Sequence, residues 1–139
     1  MVNKPLTLLV NPDIETLYRD LESREVEIIS IGRAVSEFLI NQEEVDRAQS
    51  IRKCLADILR KKSPGPVLCI DIDLLFHPLL HLDPLGLFQQ ISRNTSLIIL
   101  WPGGYKDGVL SYAQPEHQHY RFWKNLEGIE IKEVSDAIQ

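Results

Sequence analysis

The sequence predicts an α/β fold in three layers, a mostly parallel sheet with helices on both faces. Three observations point there. Short continuous apolar runs, Leu6 to Val10, Val67 to Ile70 and Leu97 to Trp101, read as strands buried on both faces. Segments of helical period lie between them, the longest carrying Val45, Ala48, Ile51, Leu55, Ile58 and Leu59 on one face. Turn-forming clusters such as Ser63-Pro64-Gly65-Pro66 and Pro102-Gly103-Gly104 separate the two kinds of segment. At 139 residues the chain is long enough for one substantial core, so a single domain over 1–139 is expected.

The elements follow in order. Leu6 to Val10 is the first strand, and Asn11-Pro12 stops it. Asp13 stands where a helix N-cap belongs, with Ile14, Leu17, Tyr18 and Leu21 recurring behind it at helical spacing. VEIISI, Val26 to Ile31, reads as the second strand, ended by Gly32, and Arg33 to Ile40 as a short helix. The longest helix is expected over about 43–62. VLCIDID, Val67 to Asp73, reads as the central strand, followed by an irregular apolar stretch broken by Pro78. Asp83-Pro84 marks a helix start, N-cap then proline at the first helical position, and the helix is expected to run to about Arg93. Leu97 to Trp101 is the next strand. Val109 to Tyr112 reads either as a short strand after the Asp107-Gly108 turn or as ordered loop. Pro115-Glu116 is expected to begin a short helix through Trp123, and Ile129 to Val134 alternates as a half-exposed edge strand does.

Composition narrows the function classes. Apolar residues make up 44% and charged residues 25%, ordinary values for a globular protein. A net charge of -5 argues against a surface built to neutralise nucleic-acid phosphates. No apolar run approaches the roughly 20 residues that span a bilayer, and the N-terminus lacks the pattern of a secretory signal. Cys54 and Cys69 fall on a helix and a buried strand, where reduced core thiols are expected. A cytoplasmic location follows by default.

The chemistry-bearing residues gather at the expected carboxyl ends of the strands, where parallel sheets bind ligands. VLCIDID ends as the central strand of a P-loop NTPase does, with carboxylates Asp71 and Asp73 at its tip. As strand positions i and i+2 the two would share one side and could hold magnesium or act as acid and base. The commoner use of such carboxylates is hydrogen bonding to nearby amides or to an arginine. The phosphate loop, G-x-x-x-x-G-K-[ST], is missing. Its place after the first strand reads NPDIET, with no glycine, no lysine, a proline that removes an amide donor, and two carboxylates that repel phosphate. Arg33 and Arg93 are candidate sources of positive charge, although an arginine at a helix end more often serves the helix dipole. Trp101 and Tyr105 flank a glycine turn and could stack on a base, but packing at a sheet edge is the commoner use. Tyr112, Tyr120, Phe122 and Trp123 concentrate aromatic surface, part of it for the core and part for a partner. Pro78 between His77 and His81 spoils a helical ligand pair, and His117-x-His119 has no third ligand beside it, so no metal is expected.

From about Ile28 to Trp123 the chain resembles BrxF-type proteins, small P-loop proteins of bacteriophage-exclusion (BREX) defence systems. The carrying segments are ISIGRAVSEFL, VLCIDIDLLFHPLLHLDPLGLFQQISRN and SLIILWPGGYKDGVLSYAQPEHQHYRFW. The most specific part is LDPLGLFQQISRN followed by a strand and WPG. The resemblance covers about two-thirds of the chain. It implies a P-loop NTPase-like fold, a cytoplasmic location, and action beside larger BREX components that include an ATPase and a methyltransferase. The departure from the family is the absent Walker A loop. Only Asp71 and Asp73 transfer, as an acidic strand-tip remnant.

The expectation is therefore a pseudo-NTPase with no catalytic residues, metal or cofactor of its own, acting as an accessory or assembly subunit among other defence proteins. Self-association is left open. The alternative is a magnesium-dependent nucleotide-binding or phosphotransfer enzyme built on Asp71 and Asp73.

Overall fold

The computed structural model describes residues 6–10, 13, 15–19, 26–40, 47–63, 65–77, 80, 82–112 and 121–133. In chain order these form β1 (Leu6–Val10), a helical segment α1 (15–19), β2 (Glu27–Ser30), α2 (Ile31–Ile40), α3 (Arg47–Arg60), β3 (Val67–Ile70), a 3₁₀ turn (Asp73–Phe76), α4 (Pro84–Ile91), β4 (Leu97–Trp101), β5 (Gly104–Lys106), β6 (Val109–Tyr112), β7 (Arg121–Trp123) and β8 (Ile129–Glu133).

Five strands make one parallel sheet in the order β2-β3-β4-β1-β8. The continuous apolar runs occupy its three inner positions, as strands covered on both faces must. β1 and β4 bury alternate residues completely, Leu6, Leu8 and Val10 on one and Leu97, Ile99 and Trp101 on the other, and pair directly, Val10 opposite Trp101. β8, with its alternating IEIKE, takes one edge, as the sequence predicts.

The connectivity reverses once. From β1 the chain crosses to β2 at the far edge. Every later step, β2 to β3 to β4 to β8, runs back the other way. Parallel crossovers are right-handed, so a reversal of direction puts the two sets of connections on opposite faces of the sheet. The contacts of α3 with both α2 and α4 are those of one helical layer. Ile51, Leu55 and Leu59 of α3 and Leu85, Phe88 and Ile91 of α4 are fully or almost fully buried in the core. This α/β arrangement agrees with a three-layer fold.

Four sequence expectations need correction. β3 ends at Ile70, not Asp73, because Asp71 turns the chain into a left-handed conformation with φ 55°. Gly32 does not end β2. Helix α2 starts at Ile31 and carries Gly32 in its first turn, capped by Ser30, whose Oγ accepts the Arg33 amide at 3.2 Å. Helix α4 stops at Ile91, and residues 92–94 form turns. The helix expected through Trp123 is replaced at its end by β7. β7 pairs antiparallel with β6, which pairs with β5. Asp107 (φ 53°) and Gly108 (φ 77°) make the two-residue turn between β5 and β6, with Lys106 opposite Val109. Residues 115–120, where that helix was to begin, lie outside the described residues, as do 41–46 at the expected start of α3.

Candidate functional site

Neighbouring strands β1 and β4 are left in opposite directions along the sheet, β1 towards β2 and β4 towards β8. That divergence marks the sheet's topological switch point, where α/β folds open a binding crevice. Two clusters occupy this carboxyl end.

The first is built on Asp71, immediately after β3. Its carboxylate accepts a hydrogen bond from the Ser30 hydroxyl (Oγ to Oδ2, 2.9 Å), and its carbonyl accepts the Gly32 amide at 2.9 Å. Ser30 therefore faces two ways, receiving the Arg33 amide and donating to Asp71. A chain of hydrogen bonds runs from the tip of β3 to the first turn of α2. A carboxylate there is favourably placed, since helix N-termini carry partial positive charge. Gly32 is required by the close approach: a β-carbon at this position would lie 2.9 Å from the Asp71 carbonyl oxygen. Asp is among the residues that adopt a left-handed backbone at low cost.

Asp73 lies beyond the strand, in the first turn of the 3₁₀ segment, and is exposed. The strand argument for placing both carboxylates on one side therefore does not hold. Asp71 is committed to the β2–α2 junction, while Asp73 exerts its charge on Tyr112.

The second cluster is aromatic. The Phe76 and Tyr112 rings stack at 4.0 Å between centroids, nearly parallel at 6°. Trp101 and Trp123 meet edge to face at 5.4 Å, and each also meets Phe76 edge to face, at 5.3 and 6.0 Å. The edge-to-face contacts are among the preferred aromatic geometries. The polar edges are also satisfied. Trp101 Nε1 donates to the Ser111 carbonyl at 2.9 Å, and Trp123 Nε1 donates to Asp83 Oδ1 at 3.2 Å. Arg121 donates to the carbonyls of Leu82 and, at 3.3 Å, Phe76. The β5-β6-β7 meander is thus pinned to the loop that follows β3 and to the tip of β4. At Gly103 a β-carbon would lie 1.8 Å from the Ser111 carbonyl oxygen, so this glycine serves contact between the β4 exit and β6.

Burial raises the pKa of Tyr112, and Asp73 adds to the rise while Arg121 opposes it. Burial alone pushes the Cys69 thiol up to about 12. Cys69 is a neutral core side chain, in line with its reading from sequence.

The remaining candidates fall in different places. Trp101 is 2% exposed, so its ring faces are covered by protein and not presented to a base. Tyr105 and Trp123 are half-buried against the core cluster. The Arg33 side chain is exposed and pairs with Glu37 one turn along α2 at 3.3 Å. Arg93 precedes the amino end of β4, whereas Asp71 follows the carboxyl end of β3, so β4's length of about 16 Å separates the two ends. Arg93 therefore cannot supply charge to the strand-tip carboxylates. Tyr120, His81, His117 and His119 lie outside the described residues. Among the described residues no three of His, Cys, Asp and Glu converge as a metal cage.

Sequence reasoning missed Ser30, Phe76, Asp83 as the Trp123 partner, and Arg121. Ser30 was legible as a cap once the helix start was moved to Ile31. The others depend on contacts across about 40 residues of chain, which no local pattern encodes. Searches of family models, curated proteins and solved structures give no match to this chain.

Proposed function

We propose that this chain is a degenerate P-loop-like domain, a non-catalytic accessory or assembly subunit of a prokaryotic phage-defence complex of the BREX type. It docks on protein partners through the carboxyl end of its sheet and the adjoining aromatic meander. One observation carries the reading: side chains of the chain itself occupy part of the carboxyl end of the sheet, where parallel sheets ordinarily bind ligands. Trp101 closes the tip of β4, and Asp71 is tied to Ser30. The NPDIET junction after β1 adds repulsion, since it offers two carboxylates and neither glycine nor lysine to a phosphate. The parallel sheet with an acid after its buried β3 supports a P-loop ancestry, and the segments resembling BrxF-type proteins support the defence setting.

The alternative, a magnesium-dependent nucleotide-binding or phosphotransfer enzyme using Asp71 and Asp73, is weakened by the same geometry. The two carboxylates do not share a strand, and Arg93 sits at the opposite end of the sheet.

Phe122 is 54% exposed on the outer side of the meander, with the Lys124 ammonium 5.8 Å from its ring centroid. An exposed aromatic beside a cation fits the anchor residues of protein interfaces. Affinity capture of the tagged chain from its native host is expected to retrieve a large ATPase and a methyltransferase. Phe122→Asp is expected to lose them while remaining folded. Capture that returns no defence component contradicts the proposal.

A further inference from the structure

The outer edge of β8 pairs with no strand among the described residues, because β8 ends the sheet beside β1. An open edge offers backbone amides and carbonyls to any other strand, and proteins guard such edges with charge. β8 carries Glu130 and Lys132, both exposed, with their side chains 3.8 Å apart. Between and before them, Ile131 and Ile129 are half-buried against the core cluster. Over residues 129–132 the two charged side chains thus alternate with the two isoleucines, and the charges are of opposite sign two residues apart.

That spacing has a consequence for pairing with a second copy. Two β8 strands related by a two-fold axis normal to the sheet pair antiparallel. Residues directly opposite must then point to the same face, so the register can shift only in steps of two. Centring the axis on Glu130 sets Glu130 against its own copy, and centring it on Lys132 sets two lysines together. Both are repulsive. Centring it on Ile131 sets each Glu130 opposite the Lys132 of the other copy, twice by symmetry. It also brings the two Ile131 side chains together on the opposite face, where they join the two cores. Of these three registers, the charges of Glu130 and Lys132 therefore favour the one centred on Ile131.

We propose that the chain forms an isologous dimer through antiparallel β8–β8 pairing centred on Ile131, joining two five-stranded sheets into one. The occupant of the edge is a second copy because β8 is charge-complementary to itself in this register. The inference is independent of the defence reading and can fail or stand without it.

Sedimentation of the purified full-length chain over a dilution series tests it, with circular dichroism verifying the fold of each variant. The wild type is expected to be a concentration-dependent dimer. Glu130→Lys places lysine against lysine twice, and Lys132→Glu places glutamate against glutamate twice. Each is expected to weaken dimerisation by about tenfold or more. The double variant E130K/K132E restores opposite pairing and is expected to dimerise within about threefold of wild type. A wild type that stays monomeric throughout overturns the proposal. So does a dimer insensitive to both single substitutions, or a double variant no better than the singles.

Discussion

The left-handed backbone at Asp71 separates what its carboxylate contributes from what its conformation requires. Alanine in that conformation is disfavoured by roughly 1–2 kcal/mol, whereas glycine is not. Asp71→Ala loses both the Ser30 link and a tolerated conformation, while Asp71→Gly loses only the link. Urea unfolding is expected to rank wild type above Asp71→Gly and Asp71→Gly above Asp71→Ala, the last two about 1 kcal/mol apart. Gly103→Ala presses a methyl group into the Ser111 carbonyl and should cost about 2–3 kcal/mol by the same measurement. Cys69, Cys54 and Tyr112 give the pH dependence. All three have pKa values raised by folding, so each contributes stability that is complete at low pH and lost as pH rises through the folded value. The loss begins near the ordinary thiol value, about 8.5, for Cys69 and near about 10 for Tyr112. Unfolding under reducing conditions should show stability falling above about pH 9, and Cys69→Ala should reduce the earlier part of that fall, with Cys54 supplying the remainder. The acidic character of the β3 tip was legible at this scale. The conformation of Asp71 was not, because the apolar run passes into the acidic tip without a turn signal, and the hydrogen bonds to Ser30 and Gly32 come from about 40 residues away.

Among the elements, strands buried on both faces were the most legible. LTLLV and LIILW bury so much apolar surface that no other placement suits them, and both take the predicted bounds. The short strand β7 was not legible. Arg121, Phe122 and Trp123 carry no period of their own over three residues, and their strand form comes from pairing with β6 and from Arg121 reaching back to Leu82 and Phe76. Hydrogen bonds from a charged donor to buried carbonyls contribute roughly 1.5–3 kcal/mol. Arg121→Ala should therefore loosen the meander before it affects the parallel sheet. Hydrogen exchange is expected to quicken at 104–112 and 121–123, with 97–101 still protected. Uniform loss of protection across both sheets would show that the meander is not a separable unit.

For the whole molecule, the alternation of apolar runs with helical segments was enough to predict a parallel α/β sheet. The order of its strands was not, since order depends on which crossovers pack. That order puts the β1–β4 switch point at the end where the aromatic meander docks. The proposed function rests on this coincidence: buried Trp101 and the meander lie at the end where a parallel sheet ordinarily binds ligands, and the junction after β1 carries two carboxylates with neither glycine nor lysine. No helix among the described residues is long and apolar enough to cross a membrane. Isothermal calorimetry of the full chain with ATP and magnesium tests the claim most directly. No saturable heat is expected at millimolar nucleotide. Saturable binding that disappears in Asp71→Asn would contradict it.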